Sequence, residues 1–312
     1  MPELSCRGKS WQVERSANLL DALLAAGFAV PYGCRAGICH SCLVRCRHGE
    51  PEDARPQALD PAKRAQGWRL ACQCRVAENL DIELFDPACD GLEAQVQDLS
   101  WPGEGVLRLR LLPQRSLRYQ AGQHVSLFTD QGVARAYSLA SLPDEDAFLE
   151  FHLDCRRPGA FCDFARQLQV GDVLRIGSVL GGALHYDPLW QAQPLLLLAG
   201  GTGLAPLYAI LREALRQGHS GPIRLLHCSR SGPYLRETLQ PLAESHGNLQ
   251  LEWVAGEEAR QRLAQLTVAS RQEVALVCGR PGFVDACARR LFLAGLPRGQ
   301  VLAEAFSESP AA

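Results

Sequence analysis

The chain has 312 residues, 47% hydrophobic and 21% charged, a folded globular composition too long for one ordinary core. Its net charge is −2; residues 1–88 carry 11 basic and 11 acidic groups, 89–190 carry 9 and 13, and 191–312 carry 12 and 10. No segment has the basic excess that a phosphate backbone requires, so no nucleic-acid partner is expected.

The opening residues, MPELSCRGKSW, lack the apolar core of a secretion signal, and a cytoplasmic location is expected. Thirteen cysteines, an odd number in a reducing compartment, argue against a disulfide framework and leave metal ligation or burial as small apolar side chains. The run PLLLLAGGTGLAPLYAI (Pro194 to Ile210) is shorter than the roughly 18 to 20 residues of a membrane span and is interrupted by glycines and a proline. It reads as a buried parallel strand, a turn and the start of a helix, and no membrane association is expected.

Along the chain the texture changes twice. From Leu4 to about Leu84 come short strands and one helix, ANLLDALLAAG, with Ser16 as its cap, Leu19, Leu20, Leu23 and Leu24 on one apolar face, and Gly27 as its stop. DPACDG (Asp86 to Gly91) reads as a linker. From Leu92 to about Leu189, alternation in GVLRLRLL and HVSLF predicts an antiparallel barrel. From Pro194, the apolar strands LLLLA, IRLLHC, LEWVA and EVALVC alternate with helical stretches, which predicts a parallel α/β sheet. Three domains follow: 1–88, 91–189 and 190–312.

In the first, Cys34, Cys39 and Cys42 have the spacing C-x4-C-x2-C, and Cys72 follows after 29 intervening residues. That is the plant-type ferredoxin arrangement, four thiolates around a [2Fe-2S] cluster. Gly33 and Gly37 let the loop wrap closely, and its amides can donate to sulfur. A zinc site or a set of buried free thiols are the alternatives; zinc ordinarily uses two short hooks, and here one compact hook supplies three ligands. Cys74, two positions past Cys72, is a rival fourth ligand by strand alternation.

Residues 4–84 resemble the ferredoxin domain of bacterial oxygenase reductases through LLDALLAAGFAVPYGCRAGICHSC, the GE at 49–50 and GWRLACQC. The resemblance implies a β-grasp fold with Cys34, Cys39, Cys42 and Cys72 as ligands. His40 departs from the small residue usual between ligands; it reads as a solvent-facing side chain or as a charge that tunes the cluster. Arg35, Arg45 and Arg47 near the ligands are either a docking clue or an ordinary solvated surface.

A one-electron cluster does not accept hydride, so a flavin is expected to split the pair. RAYS (Arg135 to Ser138), with YQAGQHVSL before it and RRPGAFCDF and VGDVLRIGSVLGG after it, resembles the flavin domain of the ferredoxin-NADP reductase superfamily. By that resemblance Arg135 pairs with a flavin phosphate, Tyr137 packs on the isoalloxazine and Ser138 hydrogen-bonds near N5. Gly159, Ala160, Phe161 and Cys162 align with a pyrophosphate loop that more often ends in Ser or Thr; a thiol donates weakly, so Cys162 is read as a backbone contact.

The third segment offers Gly200, Gly201, Thr202 and Gly203 between an apolar strand and a helix, a backbone-amide cradle for the pyrophosphate of a nicotinamide cofactor. VALVCGRPGF resembles the C-G-x-P strand end of the same superfamily, which implies Cys278 and Gly279 beside the nicotinamide. Glu304 and Phe306 match a terminal acid-x-aromatic that approaches flavin and nicotinamide. Ser229 and Arg230 end the strand where ribose is gripped, and NADH and NADPH both remain open.

These readings imply a multidomain α+β and α/β protein, with a β-grasp ferredoxin domain, an antiparallel β-barrel FAD domain and a parallel-sheet Rossmann-like NAD(P) domain. They imply a monomeric NAD(P)H-dependent iron-sulfur flavoprotein oxidoreductase that passes hydride to FAD and single electrons through the cluster to a terminal oxygenase. A deoxysugar dehydrase, another non-oxygenase acceptor, or a redox-sensing regulatory role are the alternatives.

Overall fold

The structure, a computed structural model, describes residues 1–130 and 132–306. In the first part, β1 (Glu3–Cys6), β2 (Lys9–Gln12), α1 (Leu19–Ala25), β3 (Leu43–His48), β4 (Glu52–Asp53), α2 (Pro61–Ala65), β5 (Trp68–Leu70), β6 (Cys74–Arg75) and β7 (Leu80–Leu84) follow one another. Five strands form a mixed sheet in the order β2-β1-β7-β3-β5, with β1 parallel to β7; β4 and β6 form a separate ladder. Helix α1 buries Leu19, Leu20 and Leu23 completely, which stabilises the fold by roughly 1.5–3 kcal/mol per side chain. Its cap is Asn18, whose side-chain oxygen accepts from the Asp21 amide at 3.2 Å, and not Ser16, which sits at φ +67 with its amide bonded to the Val76 carbonyl. Gly27 ends the helix at φ +89, a conformation glycine adopts without strain. The stretch read as a linker contains a short helix, α3 (Pro87–Asp90), capped by Asp86.

The second part is β8 (Leu92–Gly103), β9 (Val106–Pro113), β10 (His124–Phe128), β11 (Ala134–Ser138), β12 (Leu149–Asp154), α4 (Ala160–Ala165) and β13 (Val173–Leu180). All pairs are antiparallel, in the order β11-β10-β13-β8-β9-β12. It is a half-barrel: its two end strands share no ladder, and a backbone bond from Ala140 to Glu150 bridges the gap at 2.8 Å.

The third part is β14 (Leu195–Gly200), α5 (Leu204–Arg216), β15 (Ile223–Ser229), α6 (Arg236–Ser245), β16 (Leu249–Ala255), α7 (Glu258–Ala264), β17 (Val274–Gly279), α8 (Pro281–Leu293) and β18 (Val301–Ala305). Its sheet is wholly parallel, in the order β16-β15-β14-β17-β18. The strand order reverses between β14 and β17, and the crevice at such a switch point is where α/β sheets bind ligands. No helix among the described residues is long and apolar enough to cross a membrane.

The three parts touch. Phe85 of the first packs on Phe128 of the second with ring centroids 5.3 Å apart, and Lys63 Nζ bonds to Ser178 Oγ. The second meets the third through a buried chain: Tyr234 OH lies 3.3 Å from His152 Nδ1, His152 Nε2 lies 3.0 Å from Glu150, and Arg110 Nε donates to Glu150 at 2.7 Å.

Candidate functional site

The cysteine loop between α1 and β3 is built on left-handed residues, Arg35 at φ +51, Gly37 at φ +71 and His40 at φ +52. Its amides converge on sulfur: Ala36 and Ile38 donate to Cys34 Sγ at 3.3 Å and Cys39 at 3.4 Å, while Cys34 N donates to Cys39 Sγ at 3.5 Å. Gln73 Nε2 donates to Cys72 Sγ at 3.2 Å. The thiols pair two and two. Cys34 neighbours Cys39 and Cys72 neighbours Cys42, and interaction within each pair lowers Cys34 and Cys72 and raises Cys39 and Cys42.

Two pairs of thiols, one surrounded by amide donors, fit a two-iron core. Cys74 is apart from them. Residues 71–73 form a 3-10 turn, so the strand alternation that would align Cys74 with Cys72 does not apply, and Cys74 is fully buried in the apolar core.

His40 is half-buried. It lines a small cavity with Cys39, Lys63, Phe85, Ser126 and Phe128, between the first and second sheets. Burial, with Lys63 and His124 nearby, pushes it down to about 4. The three arginines are engaged locally: Arg35 pairs with Asp21 at 2.7 Å, and Arg45 and Arg47 both reach Glu83, at 3.9 and 2.5 Å.

The cysteine loop rests on the half-barrel. Ser126 Oγ of β10 donates to the Cys39 carbonyl at 2.8 Å, and Arg135 Nη1 reaches the Tyr32 carbonyl at 3.5 Å. Arg135 is half-buried and pairs with no carboxylate among the described residues, which leaves its charge for a phosphate. Ser138 stands opposite His124 in the β10–β11 ladder. Tyr137 lies 5.1 Å from Phe161 between ring centroids. Phe161 itself is buried in the half-barrel core, so of the loop 159–162 it has only its backbone to offer a ligand.

At the switch point, Gly200 to Gly203 turn from β14 into α5 against the end of β17. Gly203 is obligatory there: a Cβ would stand 2.2 Å from the Cys278 carbonyl oxygen. His227 Nε2 bonds to the Gly201 carbonyl at 3.1 Å, and burial pushes this imidazole down to about 4. Cys278 is fully buried and stands opposite Glu304 in the β17–β18 ladder, and Phe306 N donates to the Gly279 carbonyl at 2.8 Å. Glu304 in turn lies 3.5 Å from His124 Nδ1, within ion-pair reach but not aligned as a hydrogen bond. Ser138, Cys278, Glu304 and Phe306 therefore belong to one locus, closed by a histidine the sequence reading passed over. Ser229 is buried at the end of β15, and Arg230 beyond it is exposed with no ion pair among the described residues.

Arg156 is a second omission. Held by Asp154 at 2.7 Å, its guanidinium donates to Ser231 Oγ at 3.2 Å and would lie 3.5 Å from a Cβ on Gly201, so it spans the second and third parts. It sits in the quoted RRPG string, but nothing in that string shows which distant turn it meets. Ser126 was equally silent, a serine inside an apolar strand.

Residues 4–77 match the family described as the 2Fe-2S iron-sulfur cluster binding domain, 98–186 the oxidoreductase FAD-binding domain and 197–289 the oxidoreductase NAD-binding domain. The chain is 30% identical to the ferredoxin--NAD(P)(+) reductase component of the naphthalene 1,2-dioxygenase/salicylate 5-hydroxylase systems of Ralstonia sp, over 95% of each chain. It is 29% identical to the corresponding naphthalene 1,2-dioxygenase component of Pseudomonas putida, over 93% of each. Among solved structures, the cytochrome P450 reductase GcoB of Amycolatopsis superposes over 100% of both chains with a TM-score of 0.67 at 26% identity. A ferredoxin reductase of carbazole 1,9a-dioxygenase superposes over 98% of both, with a TM-score of 0.65 at 25% identity. With a cluster loop, a flavin half-barrel and a nicotinamide switch point joined in that order, the chain belongs to the family of ferredoxin–NAD(P)+ reductase components of oxygenase systems.

Proposed function

We propose that this reductase supplies single electrons from NADH or NADPH to a terminal oxygenase, acting as a monomer in the cytosol, with 1–88, 91–189 and 190–312 as its domains. The observation that carries it is contact in sequence: the Glu304–His124 pair links the nicotinamide sheet to the flavin strand β10, and Ser126 of the same strand holds the cluster-loop carbonyl of Cys39. When bound, FAD would take the two electrons of one hydride and the two-iron cluster would pass them on singly.

The residues orient and enclose. Gly200, Gly201, Thr202 and Gly203 present amides to the nucleotide pyrophosphate, with Cys278 and Gly279 flooring the nicotinamide pocket and Phe306 covering it. Arg135 holds the flavin phosphate, Tyr137 lies along its ring, Ser138 donates near N5, and Gly159 to Cys162 contact its pyrophosphate through backbone. Cys34, Cys39, Cys42 and Cys72 hold the cluster, and Arg230 at the strand end faces the ribose.

The test is full-length Cys72→Ser. It should still reduce ferricyanide with NADH or NADPH, since the flavin route is intact, while losing reduction of cytochrome c and support of an oxygenase. Undiminished cytochrome c reduction would make the flavin the exit and overturn this route. A wild-type protein whose cluster is reduced by NADH but turns over no acceptor would instead be a sensor.

A further inference from the structure

The half-barrel and the nicotinamide sheet meet at a buried tyrosine. Tyr234, in the segment between β15 and α6, is 2% exposed, and Leu235 after it is buried in the left-handed region at φ +59. Strand β8 receives the ring with a glycine: a Cβ on Gly103 would stand 2.6 Å from the Tyr234 Cβ. Edge-on to the His152 ring with centroids 5.3 Å apart, Tyr234 brings its hydroxyl 3.3 Å from His152 Nδ1. The polarity of this bond is fixed from behind. Glu150, paired with Arg110, is an ionised carboxylate that only accepts, so His152 carries its proton on Nε2 and leaves Nδ1 to accept from the Tyr234 hydroxyl. On its other side the Tyr234 ring meets His227 edge-on at 5.3 Å, and His227 Nε2 bonds to the Gly201 carbonyl of the nucleotide turn. In this run of side chains from Arg110 to Gly201, the Tyr234–His152 bond is the link that crosses from the second part to the third.

We propose that the Tyr234–His152 bond is a latch that sets the nucleotide turn against the flavin strands, which makes Tyr234 and His152 positioning residues for hydride transfer. It rests on the function given above, in which the reduced nicotinamide gives a hydride, one proton with two electrons, to the flavin and leaves as NAD(P)+. Such a transfer tolerates little error in placement, and a shift of about 1 Å can cost on the order of a hundredfold in rate. Binding is less exacting. Gly203 packs against the Cys278 carbonyl within the third part, so the turn keeps its shape without the latch. Arg212 of α5 still pairs with Asp146 of the half-barrel at 2.6 Å, so losing the latch loosens the joint without parting it.

The test is Tyr234→Phe, which removes the hydroxyl and keeps the ring. Tyr186→Phe is its control: it breaks a bond of the same kind, to His219 Nδ1 at 3.1 Å, at the opposite end of α5 from the nucleotide turn. In anaerobic stopped-flow with the holoprotein, Tyr234→Phe should slow flavin reduction at saturating NADH or NADPH about tenfold, while the Kd for NAD(P)+ stays within about twofold. Tyr186→Phe should change neither. Hydrogen exchange needs no turnover and reads the latch itself. The Thr238 and Leu239 amides, bonded to the Leu235 carbonyl at 3.1 and 2.9 Å, should exchange faster in Tyr234→Phe, by about fivefold or more, and as in the wild type in Tyr186→Phe. Unchanged exchange in Tyr234→Phe, flavin reduction slowed no more than by Tyr186→Phe, or a weakened Kd that accounts for the whole loss would each overturn the proposal. A wild type whose flavin is reduced by neither nucleotide would overturn the function instead, and exchange would still decide whether the latch exists.

Discussion

The Ser126 hydroxyl donates to the Cys39 carbonyl at 2.8 Å and lies 3.2 Å from Ser41 Oγ, a buried bridge between the half-barrel and the cluster loop. Removing it leaves a buried carbonyl and a hydroxyl unpaired. Ser126→Ala is expected to cost about 1–3 kcal/mol of stability in thermal unfolding. Flavin reduction by NADH should be unchanged while the subsequent cluster reduction slows in anaerobic stopped-flow. Equal slowing of both steps would mean the bridge supports the fold alone.

Cys72→Ser and Cys74→Ala separate ligand from core. The first should abolish the cluster's visible absorption and its reduced-state EPR signal. The second should keep both, with a stability loss on the order of 1 kcal/mol from the small void. The opposite pattern would make Cys74 the fourth ligand.

Arg230 is exposed at the nucleotide end of β15 and free of ion pairs among the described residues. If it grips a 2′-phosphate, Arg230→Ala should raise the KM for NADPH about tenfold, near 1.4 kcal/mol, and leave that for NADH nearly unchanged. A wild type that prefers NADH, or equal losses with both, would remove NADP specificity.

Gly203→Ala places a methyl group 2.2 Å from the Cys278 carbonyl, between two backbone segments with no flexible side chain to yield. The turn should be pushed out, raising the KM for either nucleotide and costing roughly 1–3 kcal/mol of stability. An unchanged KM would show that this turn does not contact the cofactor.

Glu150 is buried, and burial alone would raise its pKa; hydrogen bonds from His152 and Arg110 outweigh it and bring it from 4.5 down to about 2. A carboxylate depressed on folding contributes stability that is fully present above its unfolded value and is lost as pH falls through its folded one. Stability should therefore decline between about pH 5 and pH 2, by on the order of 3 kcal/mol from this group. Glu150→Gln should flatten that part of the profile; an unchanged slope would assign the acid lability elsewhere.

What the sequence determined by itself was local chemistry. The spacing of Cys34, Cys39 and Cys42 lies within one loop, RAYS within one strand and GGTG within one turn, so each motif carries its own meaning. The alternation of apolar residues likewise separated an antiparallel sheet from a parallel one, because side-chain direction repeats every two residues in any half-buried strand. Where neighbouring backbone decided the matter the sequence was silent: a 3-10 turn at 71–73 interrupts the alternation that made Cys74 a rival to Cys72, and Asn18 rather than Ser16 caps α1. Only the tertiary structure joined the three motifs into one route. Ser126 and Cys39 are 87 residues apart in sequence, and His124 meets Glu304 across 180. Contacts of that kind arise from the packing of finished sheets, and no periodicity within either strand records which distant loop will cover it. For the same reason the sequence did not show that His40, half-buried, lines a cavity with Lys63 between the first and second sheets.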